Sequence, residues 1–545
     1  MPRQAAGALN EPGVLMIVEF SKASDASLQD ADLCIVGTGA AGITLATEFI
    51  GQSLRVVLVE GGGEIPDEAT TDLYRGYMAT SGKFHRGIQD GRARVLGGTT
   101  TIWGGQALPL SPIDFERRDW VADSGWPFSG DELWPYYQRA GQIMGLHDVE
   151  FEADIHAAFG IVRPAFNPAI VRPIYSRWAP QPNFATLYRP RLAAAENITL
   201  LLRANVTQIV PASDGTSIEN LELKNLAGLC RTVRARHYII CCGGIETPRL
   251  LLASNRVIPG GIGNGHDVVG RYFQDHLSVR WADFRPKNRA QIDEFYNCFF
   301  RGRTKYYPLF AASPDLQRRL RILNISAAVL WDTAETATES TLGDVKRNFR
   351  ALRSRRWGEV SLASLGRSLI HTPEVLRYAY RVLAQHRTVA DPHAPLLLGS
   401  TIEQEPNPRS RVLLDTQLDA LGMPRVRLDW QLTPLVRRTL HEFAHHLRDE
   451  FERLDLGKVA IHPWLLDDTD PGFDHMHDVF HHIGATRMHL NPNQGVVDPD
   501  CRVHGLKNLH LLSSSVFPTG GHSNPTFTLL LLTFRMADRL KQILG

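Results

Sequence analysis

Three stretches of this 545-residue chain predict an α/β fold. "DLCIVGTGAAGITLATEF" (32–49) places Gly37, Gly39 and Gly42 between an apolar run and a helix-like run. "RVVLVEGGGE" (55–64) supplies a second apolar run, ending at Glu60, 18 residues beyond Gly42. "VRARHYIICCGGIETPRLLLAS" (233–254) carries a third apolar run through Gly-Gly into another helix-like segment. Strand, turn, helix and strand in this order form the context in which G-x-G-x-x-G reads as a Rossmann-like dinucleotide turn.

Each part of the turn has a physical task. The first glycine permits the tight turn, the second lets backbone approach a pyrophosphate, and the third lets helix pack on strand. The N–H groups at the helix start then face the phosphates. Glu60 can accept hydrogen bonds from ribose hydroxyls and would repel a 2′-phosphate, which argues against NADP. A second glycine cluster, "RARVLGGTTTIWGGQALPL" (92–110), lacks the strand–helix context. There Gly97 and Gly98, with Thr99 and Thr100, let backbone lie flat against a ligand. One fingerprint plus a distant backbone-rich loop suits a long cofactor such as FAD. The strand-like "RANVTQIV" (203–210) and the run at 233–254 bring the chain back to the nucleotide domain. Between them lies a short β-rich unit with a turn at "SDGTS".

Composition narrows the classes. The chain is 43% hydrophobic and 21% charged, with a net charge of +1, so nothing global argues for nucleic acid or a membrane surface. Six scattered cysteines show no metal-ligand spacing and suit free thiols in a reducing compartment. The N-terminal "VLMIV" is too short for a signal h-region, and no run reaches the length of a membrane span. A cytoplasmic location is the expectation. One segment departs from the average: Lys346 to Arg387 holds ten Lys/Arg against two acidic residues, Glu359 and Glu374. It reads as a solvated helical insertion or as a docking arm for an oligomer partner, an acidic electron acceptor or anionic lipid.

The C-terminal segment carries a specific pattern. "HHIGATRM" (481–488), "VVDPDCRVHG" (496–505), "SVFPT" (515–519) and "NPTFT" (524–528) follow one another in a fixed order, after "VGRYFQDH" (269–276) and "EQEPNPRSRVLLD" (403–415). Together with the fingerprint and the R-V-x-G-G-T-T loop, this resembles the glucose–methanol–choline (GMC) oxidoreductases over nearly the whole chain. Within that family "RVLGGTTTIW" is most similar to the flavin loop of pyranose oxidases and bacterial glycoside 3-oxidases.

The resemblance implies a discontinuous FAD-binding domain over 30–115, 196–275 and 475–545. A substrate-binding domain of sheet and helices then covers 116–195 and 276–474, with the basic insertion near 342–390. It implies FAD contacts from Gly37, Gly39, Gly42, Glu60, Arg94, Gly97, Gly98, Thr99, Thr100, Val206, Ser515 and Thr526. Where some relatives carry a flavin-linking histidine this chain has Ile102, so the FAD is expected to be non-covalent. His481 matches the catalytic histidine of H-x-x-G, and Asn524 the second polar residue of N-P-T. A neutral imidazole can take the hydroxyl proton while hydride leaves the carbinol carbon, with the rate falling below a pH of roughly 6 to 7. Asn524 would hold the same oxygen.

His522 is a candidate for the substrate pocket or a plain loop residue, and Gln404 for the pocket or, in its Pro-rich context, a structural role. His276 and His504 are expected to serve packing or cofactor support, and His482 to face away from His481. The run "DHMHDVFHH" looks like a metal cluster, but it lacks Cys or Glu at ligand spacing, and no metal is expected. Where the family usually has Asp before S-V-F-P-T, this chain has Ser513, which weakens one expected flavin contact.

The implied activity is FAD-dependent oxidation of a CH–OH group of a sugar or glycoside, a secondary ring hydroxyl being favoured. Oxygen or another electron acceptor would complete the cycle, and a homo-oligomer is compatible with the basic segment. A primary alcohol of an aminosugar or other polyol is the alternative. A lyase that keeps FAD only structurally is the rival from another class.

Overall fold

The apolar runs become neighbouring strands. In the computed structural model, which describes residues 17–332, 380–381, 384–388 and 393–545, Ala31–Val36 pairs in parallel with Val56–Val59 on one side and Ala235–Ile240 on the other. The full six-stranded order is Ile17–Glu19, Ile198–Leu202, Val56–Val59, Ala31–Val36, Ala235–Ile240 and Leu509–Leu511. Every neighbouring pair is parallel. Such a sheet is covered on both faces, which is why its strands read as unbroken Val/Ile/Leu runs rather than alternating ones. Helix Ala40–Thr47 packs against the C-terminal helix Pro525–Leu544 beside it.

The excursion expected between 203 and 240 is an antiparallel three-stranded unit, Asn205–Pro211, Ile218–Lys224 and Cys230–Val233. Its first turn uses Gly215 at φ 65°, a left-handed conformation that glycine adopts without strain.

A nine-stranded sheet stands apart from the parallel one and contains Gln106–Ala107, Val171–Trp178, Leu277–Pro286, Thr304–Ala312, Ile325–Trp331 and Leu396–Ile402. Its pairings are antiparallel. One face is covered by helix Pro434–Arg453, which buries Val436, Leu440, Phe443, Ala444, Leu447 and Phe451. That i, i+3, i+4, i+7 stripe is the amphipathic pattern of a helix lying on a sheet. The basic segment near 342–390 lies almost entirely outside the described residues.

The fingerprint turn is held by very close backbone approach. Gly37 has φ 100°, and a Cβ there would sit 2.7 Å from the Cys241 carbonyl oxygen. A Cβ on Gly42 would lie 1.8 Å from the carbonyl oxygen of Gly37. A Cβ on Gly39 meets nothing within 4 Å. The first and third glycines therefore serve packing, and the second keeps clear the approach to the start of the helix. Gly42→Ala should cost about 1–3 kcal/mol or more of folding stability, because backbone must move to admit the methyl group. Gly39→Ala should leave the unfolding midpoint unchanged yet lower the flavin retained on purification. Denaturant unfolding and flavin absorbance of the two variants check this, and equal loss of stability in both would refute the division of roles.

Candidate active site

Two cavities meet in front of the parallel sheet. The first, about 250 Å³, is lined by Gly37, Thr38, Gly39, Glu60, Arg94, Gly98, Thr99, Thr100, Val206 and Thr526. The second, about 670 Å³, is lined by Ile102, Trp178, His481, His482, His522 and Asn524. Thr99, Trp103, Cys242, Gly243 and Thr526 stand in both walls, so the two form one elongated space. One end is the fingerprint turn and the other the His481–Asn524 pair, which is the shape an extended dinucleotide cofactor needs.

Thr38 knits the first cavity together. Its hydroxyl donates to Glu60 Oε2 at 2.5 Å and accepts from Gly97 N at 3.2 Å, while Thr38 N also donates to Glu60 Oε2 at 3.1 Å. Glu60 Oε1 accepts from Gly62 N at 2.8 Å. The fingerprint turn, the end of the second strand and the 97–101 turn are thereby joined. Gly98 approaches so closely that a Cβ would lie 3.0 Å from Gly39 Cα. Burial pushes the Glu60 carboxyl up, opposed by the bonds from Thr38 and Gly62.

Arg94 donates to Asn205 Oδ1 at 2.9 Å and to Glu246 Oε2 at 3.0 Å. Its buried Nε has no hydrogen-bond partner among the described residues. Burial works against the Glu246 carboxylate, yet Arg249, Arg94 and Arg92 hold it down at about 2.

Two chain segments supply the polar pair His481 and Asn524 in the wall of the second cavity. His481 follows Phe480, a non-glycine residue at φ 65° of the kind that clusters at functional sites. Asn524 is the N-cap of helix Pro525–Leu544, a position where its side chain would ordinarily cap the helix. Here it makes no cap bond, and Nδ2 lies 3.4 Å from His481 Nε2. On the far side of the ring, His481 Nδ1 is 2.8 Å from His276 Nδ1. Burial, reinforced by His276, holds the His481 imidazole well below its usual 6.5. The acid-side loss of a rate that depends on neutral His481 accordingly lies below 6.5, a correction to the window of 6 to 7 expected from an unperturbed histidine.

His522 is 4% exposed, neither ring nitrogen has a partner among the described residues, and burial pushes it down to about 3. Trp178 Nε1, in the same wall, is likewise unpartnered. The loop that carries His522 and Asn524 rests on a buried polar network. Thr519 donates to the Asp114 carbonyl at 2.7 Å, and Asn324 Nδ2 donates to Asp114 Oδ1 at 2.7 Å. Arg118 pairs with Glu403 at 2.6 Å with both side chains fully buried. Burial, then Glu403, pushes the Asp114 carboxyl up to about 7.

Some expected positions fall elsewhere. Ser515 is fully buried behind the cavity, with Oγ 2.6 Å from Ser513 Oγ and 2.5 Å from Thr486 Oγ1. Ser513 and Ser514 line the first cavity in its place. Gln404 is no pocket residue: its Oε1 accepts from Asp275 N at 3.0 Å and Trp430 Nε1 at 2.8 Å, deep in the protein. Gly97 stays out of the wall and serves the turn at φ 95°.

His482 does not simply turn away, since it stands in the second cavity's wall with its ring 5.4 Å from that of His85. Among the described residues His85, Asp275 and His482 are the one group close enough to share a metal ion. Asp275 is already bonded there to His85 Nε2 at 2.9 Å, and the Arg92 charge acts on His482. His475 lies apart, stacked on Trp464 at 4.4 Å. His504 Nε2 donates to the His489 carbonyl at 2.9 Å. Sequence reasoning gave His85 and Asp275 no role, and the only signal for the second was the D-H pair closing "GRYFQDH".

Residues 185–278 and 406–533 match the N- and C-terminal family models described as GMC oxidoreductase. The chain is 22% identical to the fructose dehydrogenase large subunit of Gluconobacter japonicus, over 94% of this chain and 97% of that one. It is 25% identical to paromamine 6′-oxidase of Streptomyces fradiae, over 93% and 90% of the two chains. The crystal structure of pyridoxine 4-oxidase from Mesorbium loti superposes with a TM-score of 0.58 at 18% identity, covering 94% of this chain and 99% of that one, and shows the same fold. With both family models matched in order, the chain belongs to the GMC oxidoreductases, enzymes that act on alcohol CH–OH donors.

Proposed function

We propose that this protein oxidises a CH–OH group of a sugar, glycoside or related polyol to a carbonyl, a secondary ring hydroxyl being the favoured site. The observation that carries the reading is the His481 Nε2–Asn524 Nδ2 pair, 3.4 Å apart and facing one cavity that opens into the fingerprint turn. FAD, held by the turn at Gly37–Gly42, Glu60 and the Gly98–Thr100 loop, supplies the hydride acceptor when bound. His481 Nε2 takes the hydroxyl proton. Asn524 Nδ2 donates to the same oxygen and keeps the carbinol in place. Unpartnered nitrogens on His522 and Trp178 offer hydrogen bonds to further hydroxyls, which a polyol can fill and a simple alkanol cannot. A volume of about 670 Å³ falls in the range of small-ligand pockets. The likeness to paromamine 6′-oxidase favours, as a second reading, the primary alcohol of an aminosugar. On this view 30–115, 196–275 and 475–545 form the FAD domain, and 116–195 with 276–474 the substrate domain.

Anaerobic flavin reduction across monosaccharides, methyl glycosides and aminosugars tests the class. Bleaching by none of them would overturn it, and a flavin that stays oxidised while an alcohol adduct is cleaved would point to a lyase. His481→Ala should slow reduction by about 10²–10⁴-fold while FAD stays bound. Asn524→Ala should cost less, and the double variant should fall short of the product of the two losses. Protonated His481 cannot accept a proton, so the rate should fall as pH drops through a value below 6.5; a fall centred above 6.5 contradicts the burial argument.

We also propose that the FAD is non-covalent, since Ile102 stands where a linking histidine would be and has no group to bond it. Acid or heat precipitation should release free yellow flavin. Flavin that remains with the precipitated polypeptide would show a covalent link.

A further inference from the structure

We infer that His276 is a positioning residue that fixes His481 in the one neutral tautomer able to accept a proton from the substrate, an inference that rests on His481 being the base. The argument begins at a backbone carbonyl. His276 Nε2 lies 3.1 Å from Gly520 O. A carbonyl oxygen only accepts, so Nε2 must carry the hydrogen. A neutral imidazole has one N–H, which leaves His276 Nδ1 with a lone pair. His481 Nδ1, 2.8 Å away, must then be the donor. That places the single hydrogen of neutral His481 on Nδ1 and leaves Nε2 bare, on the side where Asn524 Nδ2 approaches and the cavity opens. From Asn524 to Gly520 every hydrogen bond points the same way.

Without the Gly520 carbonyl either histidine could adopt the other tautomer, and His481 Nε2–H would meet the substrate hydroxyl with no lone pair to receive its proton. Histidine tautomers are commonly set by such a bond on the far nitrogen. Burial keeps both rings below the usual 6.5 and hence neutral, as the argument requires. The backbone is fixed to match: Asp275, next to His276, accepts from His481 N at 2.9 Å through Oδ1 and holds His85 through Oδ2. The chain orients and does not conduct, because the Gly520 carbonyl cannot pass a proton on. In the reaction the substrate O–H bond breaks and an Nε2–H bond forms on His481; the Nδ1–H stays where it was.

Three variants, assayed by anaerobic flavin reduction with the fastest reductant of the sugar panel, test this. His276→Leu removes the acceptor and should slow reduction by about 10- to 10³-fold, short of loss of the base itself, with the substrate's dissociation constant unchanged. His276→Gln can accept from His481 and donate to Gly520, and should recover all but a few-fold of the rate. In a His481→Ala background, His276→Leu should cost nothing further, because it acts only through that ring. Wild-type reduction by His276→Leu, or an undiminished loss in the His481→Ala background, would overturn the inference. If the leucine variant does not fold, the glutamine variant decides: a rate within a few-fold of wild type supports it, and a loss as large as that of His481→Ala overturns it. Wild-type reduction by His481→Ala would remove the base and the inference together. Slow His481→Ala beside wild-type His276→Leu would remove the inference alone.

Discussion

Everything at the cofactor end depends on how near the Gly37 carbonyl comes to Gly42. With 1.8 Å separating that oxygen from any Cβ at position 42, the helix Ala40–Thr47 can sit on the strand only where no side chain intervenes. This contact sets the direction of the helix start. Thr38, the residue between the first two glycines, is then turned toward Glu60 and Gly97, and the second glycine loop is drawn against the first. Because three chain segments share one hydroxyl, the cavity wall is a single rigid unit.

The reacting end is organised on a different principle. His481 and Asn524 arrive on segments 43 residues apart in sequence. Position comes from buried polar groups that satisfy one another. Asp275 holds the backbone at His481, and the Arg118–Glu403 and Asp114–Asn324 bonds support the loop leading to Asn524. Such networks are costly if any member is left unpaired, so they specify one arrangement strongly. The strained φ at Phe480 is tolerated within that frame.

The sequence disclosed what local rules govern. The turn at Gly37–Gly42 and the strands around Cys34 and Ile239 follow from periodicity and glycine chemistry. The C-terminal blocks located His481 and Asn524. It could not separate Ser515 from its neighbours, because which of three consecutive serines faces the cavity is decided by a turn of three residues, Ser514–Val516. Gln404 stayed open between pocket and structure because its partners, Asp275 and Trp430, lie 129 and 26 residues away in the chain. His276 was assigned to packing or cofactor support because its contacts with Gly520 and His481 each span more than two hundred residues.

Cys242 stands in the wall common to both cavities, beside groups that would otherwise make a thiol reactive. Burial pushes it up to about 12, and the charge of Arg94 does not bring it back. Only the thiolate is an effective nucleophile, and oxidation to sulfenic acid begins from the same form. A cysteine in the wall shared by the two cavities is in this way kept chemically silent: it neither adds to a carbonyl nor consumes oxidising equivalents.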